Sequence, residues 1–153
     1  MKRLMIALLF AGALLAQRGT YTVERKSALV AGAEIITVQL PTTADTVTAQ
    51  MLKSGVYCSV ECEITLERDG TAATTIAITP TRLRSADSVV TAAAYRSSNA
   101  GVGTVLARYI IAAGATMVLD LVDIRLANGE NFSVRTSSIT GTAIVIIKWR
   151  EMF

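Results

Sequence analysis

Three glutamates, Glu61, Glu63 and Glu67, fall on the polar side of an alternating stretch of sequence. Neighbours two residues apart on one face of a strand are about 7 Å apart. Two carboxylates at such a separation can hydrolyse a glycosidic bond. A solvent-facing strand also carries charges that keep it soluble and discourage edge pairing. We expect the second role, because no further residue is needed to explain it.

The residues that other kinds of catalysis require are missing from the sequence. The chain contains no histidine, which excludes Ser-His-Asp and Cys-His catalysis and ordinary His-ligated zinc or copper. Asp120 and Asp123 lie near a predicted turn, but the dense acidic spacing of a calcium loop is missing. No phosphate-binding loop, G-x-S-x-G or zincin motif occurs. The sequence therefore predicts a protein that is not an enzyme, with no catalytic residue, no cofactor and no metal site.

Aromatic residues offer one alternative kind of site. They make up 5% of the chain, so a stacking platform has few candidates. Tyr57, Tyr95, Tyr109 and Trp149 could form one around the loop at residues 85–103. Such a platform would bind a carbohydrate or another small ligand.

Cys58 and Cys62 are the only cysteines. Four residues along a regular strand span roughly 13 Å, whereas a disulfide needs Cα atoms within about 7 Å. We therefore expect two buried free thiols that behave as small hydrophobic side chains. A disulfide would require the strand to bulge or bend sharply between them.

The strongest structural pattern lies at residues 56–67, V-Y-C-S-V-E-C-E-I-T-L-E. Apolar and polar residues alternate throughout, which is typical of a strand with one buried face. Arg68, Asp69 and Gly70 then give a turn signal, and a Thr/Ile-rich run follows. This order predicts a long antiparallel hairpin as the centre of the fold.

The remaining chain shows more strand patterns separated by turns and no convincing long helix. We predict an all-β fold, a single antiparallel β-sandwich that is jelly-roll-like and has about eight strands, over residues 34–153. An immunoglobulin-like topology is the open alternative. The terminal strand at residues 142–151 is apolar on both faces near its centre, so we expect it in the middle of a sheet or at a subunit contact.

The N-terminus predicts export. Lys2 and Arg3 precede an apolar run at residues 4–16, which is shorter than the about 20 residues that span a bilayer. This is the anatomy of a signal peptide at residues 1–16. Residues 17–33 are predicted to be an N-terminal arm or an edge strand. We expect a secreted, periplasmic or extracellular protein that contacts the membrane only if this segment stays uncleaved.

Export changes the charge balance. Without Lys2 and Arg3, 13 basic residues face 12 acidic ones. A near-neutral chain is a poor nucleic-acid binder, because phosphate binding needs a basic patch. Arg82, Arg84 and Arg96 could form a local patch, but scattered solvated charge is the simpler interpretation. We therefore expect no nucleic-acid partner.

Five segments together carry a family resemblance. They are E-C-E-I-T-L-E-R-D-G-T-A-A-T-T, S-S-N-A-G-V-G-T, I-I-A-A-G-A-T-M-V-L-D-L, L-A-N-G-E-N-F-S-V-R-T-S-S and A-I-V-I-I-K-W-R-E. This succession resembles small jelly-roll-like modules of uncharacterised bacterial secreted proteins and phage structural proteins, over residues 34–151. The resemblance implies a fold and carries no catalytic residue. The predicted signal peptide departs from a virion component and favours the bacterial exported proteins.

These observations lead to an expected function. We expect an exported structural or interaction protein that acts through self-assembly or surface contact, with another copy or another extracellular protein as its partner. Residues 17–26 and 144–149 are the candidate assembly elements, through strand addition at a sheet edge. The alternative is the carbohydrate- or small-ligand-binding module.

Overall fold

The computed structural model describes residues 17–44, 46–69, 76–84, 90–96 and 103–153. The predicted signal peptide at residues 1–16 lies outside the described residues. Within them, all regular secondary structure is β-strand, arranged in two antiparallel sheets. The prediction of an all-β, sandwich-like fold is therefore confirmed.

The described residues form thirteen strands, so the expectation of about eight was wrong. The excess has two causes: a long strand is interrupted at Leu52 and Lys53, and several edge strands are very short. The strands are β1 (Gln17–Ala28), β2 (Glu34–Gln39), β3 (Thr48–Met51), β4 (Ser54–Cys58), β5 (Cys62–Arg68), β6 (Ile76–Ile78), β7 (Thr81–Arg82), β8 (Ala93–Arg96), β9 (Thr104–Ile111), β10 (Thr116–Leu119), β11 (Arg125–Leu126), β12 (Asn131–Thr136) and β13 (Thr142–Met152).

Sheet A has the order β10-β4-β13-β1-β7, and β3 joins it by pairing with both β13 and β11. Sheet B has the order β6-β8-β2-β12-β5-β9. The pairings are nested: β1 pairs with β13, β2 with β12, β3 with β11, β4 with β10 and β5 with β9. The first strand thus pairs with the last, the second with the second-last, and so on, so the first five strands run antiparallel to the last five.

The core lies between the sheets and is built by alternation along the strands. On β13, Val145, Ile147 and Trp149 are fully buried and face inward, while the residues between them are half-buried. The Trp149 ring lies 5.9 Å from the ring of Tyr21 on β1. The terminal strand lies between β1 and the pair β3 and β4, so its predicted place in the middle of a sheet is confirmed.

The segment predicted as an arm or edge strand is part of sheet A. Residues 17–28 form β1, which pairs with β13 along its whole length. Its other edge meets β7 only at Tyr21 and Thr22. Residues 29–33 form the turn that carries the chain over to sheet B.

The predicted central hairpin is wrong. Residues 56–67 do not form one strand: β4 belongs to sheet A and β5 to sheet B, with a bend at residues 59–61. The neighbours of β5 are β12 and β9, and the Ile-rich β6 pairs with β8. Gly141 (φ 93°) packs against the bend, and a Cβ at this position would collide with the side chain of Val60. The sequence alternates through the bend, but burial does not, because Val60 lies in the bend and is exposed while Cys58 and Cys62 on either side face the core.

This bend also overturns the prediction of free thiols. Cys58 and Cys62 form a disulfide, with 6.2 Å between their Cα atoms instead of the span of a regular strand. The bond joins the end of β4 to the start of β5 and thereby ties the two sheets together. A disulfide is compatible with an oxidising compartment.

The disulfide should contribute measurably to stability. We expect Cys58→Ala/Cys62→Ala to lower the free energy of unfolding by about 2 kcal/mol, because a cross-link over so short a loop restricts the unfolded chain only modestly. Denaturant unfolding measures this, and reduced wild-type protein should match the variant. Two freely labelled thiols in unfolded, unreduced protein would contradict the bond.

Candidate functional site

Charged residues lie buried on the outer face of sheet B, the face turned away from sheet A. On β12, Phe132 and Val134 face the core, so Ser133 and Arg135 point outward. Ser133 lies opposite Glu67 of β5, and residues directly opposite in a ladder share a face. Arg135 is nevertheless only 7% exposed and Glu67 only 2%.

Arg135 is the centre of this ionic network. Its Nε lies 3.0 Å from Glu67 Oε2, and its Nη2 lies 3.5 Å from Glu34 Oε1. Its Nη1 donates to the carbonyl oxygen of Gly32. The arginine therefore connects β5, β12, the start of β2 and the turn before it. Unlike an exposed pair, a buried pair that loses one partner leaves an uncompensated charge, which strongly destabilises the fold.

Both carboxylates of the network have further donors. The Thr37 hydroxyl donates to Glu34 Oε2 at 2.6 Å, and the Gly103 N–H donates to Glu67 Oε2 at 3.3 Å. Burial raises the pKa of the Glu34 carboxyl above its usual value, and it outweighs the Thr37 hydroxyl and the Arg135 guanidinium, which lower that pKa. Glu34 thus holds its proton more tightly than a glutamate in water.

A pocket of about 240 Å³ opens beside this network on the same face. Its lining includes Glu63, Thr65, Glu67 and Arg135. Arg135 and Glu67 already form an ion pair there. The carboxylate of Glu63 has no described ion-pair partner, so it is more available to a ligand than that of Glu67. Glu61 lies in the bend before β5 and does not line the pocket. The three glutamates of the predicted row thus occupy different environments, and the expected solvent-facing position is wrong for buried Glu67.

A third buried carboxylate belongs to Glu151 on the inner face of β13, where it is 0% exposed. Its Oε1 accepts from the Ala92 N–H at 2.7 Å and from Trp149 Nε1 at 3.3 Å, and its Oε2 accepts from the Thr91 N–H at 2.9 Å. These bonds attach the segment just before β8, a strand of sheet B, to the last strand of sheet A. We infer a structural role for the Glu151 carboxylate, since all three of its hydrogen-bond donors belong to the protein itself.

The four aromatic residues of the predicted platform lie in separate places. Tyr57 is half-buried on β4 of sheet A. Tyr95 and Tyr109 lie on β8 and β9 of sheet B, with β2, β12 and β5 between those strands. Trp149 is fully buried in the core. The structure does not bring these four side chains together.

The two aspartates weighed as calcium ligands lie at and after the end of β10. Asp120 Oδ2 lies 4.0 Å from Lys53 Nζ, with both side chains well exposed. Asp123 is exposed in the following turn. Within the described part of the chain, no three His, Cys, Asp or Glu side chains are grouped so that they could hold a metal ion.

Sequence reasoning missed Glu34, Arg135 and Glu151. A charged residue inside a strand pattern looks solvated until the pairing is known. The only signal for Glu151 was its place in the inward phase of β13, two residues after Trp149.

Comparison with known protein families, with characterised proteins and with solved structures finds no match for the chain. Among the described residues, no helix is long and apolar enough to cross a membrane.

The raised pKa of Glu34 predicts a pH-dependent stability difference. The folded protein retains a proton that the unfolded chain loses near the usual glutamate pKa of 4.5, so the free energy of unfolding falls as pH rises through this window. Glu34→Gln does not titrate at this position. Its stability relative to wild type should therefore increase from about pH 4 to about pH 8, measured by denaturant unfolding. A difference that is constant with pH would contradict the raised pKa.

Glu151→Gln should destabilise the fold by about 2 kcal/mol, because the amide loses the charge and places its NH₂ group among N–H donors. Denaturant unfolding gives this value. Glu24→Gln removes the same charge from an exposed position on β1 and should change stability by less than about 0.5 kcal/mol. Equal effects of the two variants would argue against a special role for the Glu151 contacts.

Proposed function

We propose that the chain is an exported, non-enzymatic structural or interaction protein that acts through self-association. The observation that carries this proposal is the open edge of sheet B at β9. Among the described strands, β9 pairs only with β5, so its other side offers unpaired backbone groups over eight residues. Such an edge is a template for another strand.

The composition of β9 suits strand addition. The sequence T-V-L-A-R-Y-I-I is rich in β-branched and aromatic residues, contains no proline and has Arg108 as its one charge. Val105, Leu106 and Ile110 are 40%, 42% and 71% exposed. Proteins usually protect long edges with charges, prolines or short strands, and β9 has little protection beyond a register shift near its middle.

The opposite side of the sandwich follows the protective rule. There the described edge strands are β6, with three residues, and β7, with two, and the part of β1 that β7 leaves uncovered carries the charged residues Glu24, Arg25 and Lys26. On the β9 side, β10 ends sheet A and exposes 68% of Val118. A short turn joins β9 to β10, so the open edges of both sheets lie on one side. This asymmetry supports β9 and β10 as the association surface.

The strands expected to assemble are engaged within the chain. β1 contains residues 17–26 and β13 contains residues 144–149, and the two pair with each other. Deleting residues 17–26 would therefore remove most of the partner of β13 and disrupt the fold, so it would not isolate an effect on assembly. The unpaired edge available for association is therefore that of β9.

We also propose that the two sheets form a jelly roll, as the resemblance to bacterial secreted and phage structural modules implies. The nested pairing of β1–β5 with β13–β9 supports this topology over an immunoglobulin-like one, because a jelly roll is a long antiparallel ribbon wound into two sheets. Secretion remains part of the proposal. The Cys58–Cys62 disulfide and the signal-like N-terminus support it.

The alternative function is a carbohydrate- or small-ligand-binding module. Separation of the four aromatic side chains weakens the single platform expected from sequence. A smaller ligand site with half-buried Tyr57 as its one aromatic residue, on the outer face of sheet A, is the remaining form of this alternative.

The edge proposal predicts mass that depends on concentration. Light scattering of the mature protein should show oligomers that grow with concentration. Val105→Lys/Ile110→Lys should raise the dissociation constant at least about tenfold, because like charges would face each other across the new strand pair.

Val30→Lys/Leu83→Lys is the matched control, since it adds the same charge at apolar residues that are 58% and 49% exposed away from β9. It should associate like wild type. A wild-type protein that stays monomeric at high concentration would sink the proposal and favour the binding module. Equal association of both double variants would exclude β9 as the surface.

A further inference from the structure

The outer face of sheet A, turned away from sheet B, carries an excess of positive charge. On β13, Lys148 and Arg150 point outward between the buried side chains of Ile147, Trp149 and Glu151. Two residues apart on one face, they lie about 7 Å from each other. Lys26 of β1 lies opposite Ile144 of the same face.

Arg125 extends this row to the far edge of the sheet. It pairs with Gln50, and Gln50 pairs with Arg150. Partners directly opposite share a face, so Arg125 and Arg150 are two ladders apart, about 10 Å. The only carboxylate that the register places among these four cations is that of Glu24, opposite Ile146.

These cations have no partners among the described carboxylates. Three other basic residues do have such partners: Lys53 lies near Asp120, Arg68 near Glu130, and Arg135 near Glu67. Lys26, Arg125, Lys148 and Arg150 form no ion pair with any described residue. The Nε of Arg150 is moreover buried without a hydrogen-bond partner within the described structure.

An apolar strip adjoins the cations. Tyr57 lies opposite Ile144, and Gly55 lies between Ile146 and Val118. A Cβ at Gly55 would meet nothing within 4 Å, so the sheet has a shallow depression there. Val118 forms its wall and is 68% exposed. The face thus combines a low apolar floor with a cationic border.

We propose that this face binds an acidic polysaccharide, a chain of sugars that carry carboxylate groups. Sugar rings present an apolar C–H face, which fits Tyr57 and the strip beside it. Carboxylates fit the guanidinium and ammonium groups, with arginine able to bind both oxygens at once. The proposal names a ligand class for the alternative function and does not depend on self-association at β9.

Complementarity favours this ligand over other polyanions. Nucleic-acid binding by single strands relies on several stacking aromatics, and this face offers Tyr57 alone. A bilayer surface would favour several protruding apolar anchors, whereas on this face Val118 protrudes and Ile144 and Ile146 are half-buried in the plane of the sheet. An acidic polysaccharide needs only the mixed, nearly flat surface that is present.

The test is calorimetric titration of the monomeric protein with polygalacturonate at low ionic strength. We expect binding that weakens as salt is added, since the contacts are charged and exposed. Lys148→Gln/Arg150→Gln should weaken binding about tenfold, in line with the loss of two charge contacts at the protein surface. Tyr57→Ala should weaken it as well. Glu24→Gln should strengthen it, because it removes a repelling carboxylate that lies among the four cations.

Controls separate this site from general charge attraction. Arg108→Gln lowers the net charge on the edge strand of sheet B and should leave affinity unchanged. Neutral dextran should not bind, and polyphosphate and vesicles containing anionic phospholipid should bind at least about tenfold more weakly. No binding to polygalacturonate, equal weakening by Arg108→Gln, or preference for polyphosphate or vesicles would overturn the proposal. If the protein forms oligomers but does not bind polysaccharide, the polysaccharide proposal is overturned and the proposal of association at β9 is unaffected.

Discussion

The antiparallel ladder between β1 and β13 is the constraint on which the rest of the fold depends. It joins the two ends of the described chain, from Gln17 opposite Met152 to Ala28 opposite Thr142. The Thr22 hydroxyl donates to the Ile147 carbonyl 125 positions away. The other side of β13 holds both β3 and β4, so its register also sets theirs. Closing such distant pairs costs chain entropy before burial stabilises them, and the Tyr21–Trp149 contact concentrates that burial in the ladder.

Buried charges then fix how the two sheets are completed. Arg135 links β5, β12 and the start of β2 on the outer face of sheet B, while Glu151 links β13 to the segment before β8. Desolvating these groups is costly, and apolar residues of similar size often stabilise a core as well. Their effect is specificity: a one-residue slip in register would leave a charge without its partner. The polar contacts therefore select one arrangement among several that alternation alone permits.

Local pattern predicted the strands and their inner faces, because burial repeats every second residue whichever sheet a strand joins. It placed β13 in the middle of a sheet correctly. Because the alternation is the same whichever sheet a strand joins, it also caused the main errors of prediction. Residues 56–67 keep their alternation through the bend at 59–61, so neither the change of sheet nor the Cys58–Cys62 disulfide was visible. Glu67 lies in the polar phase of the sequence pattern, which suggests a solvent-exposed residue, but it is buried beside Arg135, a residue 68 positions away. Pairing between remote segments supplied the information that the sequence pattern lacked.

The two proposed surfaces are geometrically compatible. Association at β9 and β10 would occur in the plane of the sheets and leave the outer face of sheet A open. Copies joined side by side would then set their rows of Lys148 and Arg150 next to one another. A linear polyanion could contact several copies, and each further contact would be intramolecular, so avidity would exceed the affinity of one face. An open edge beside a cationic face would therefore serve one purpose. Association through the edge would bring several copies of the face to one polyanion, and their weak, salt-sensitive contacts would add up to stronger binding than one face provides.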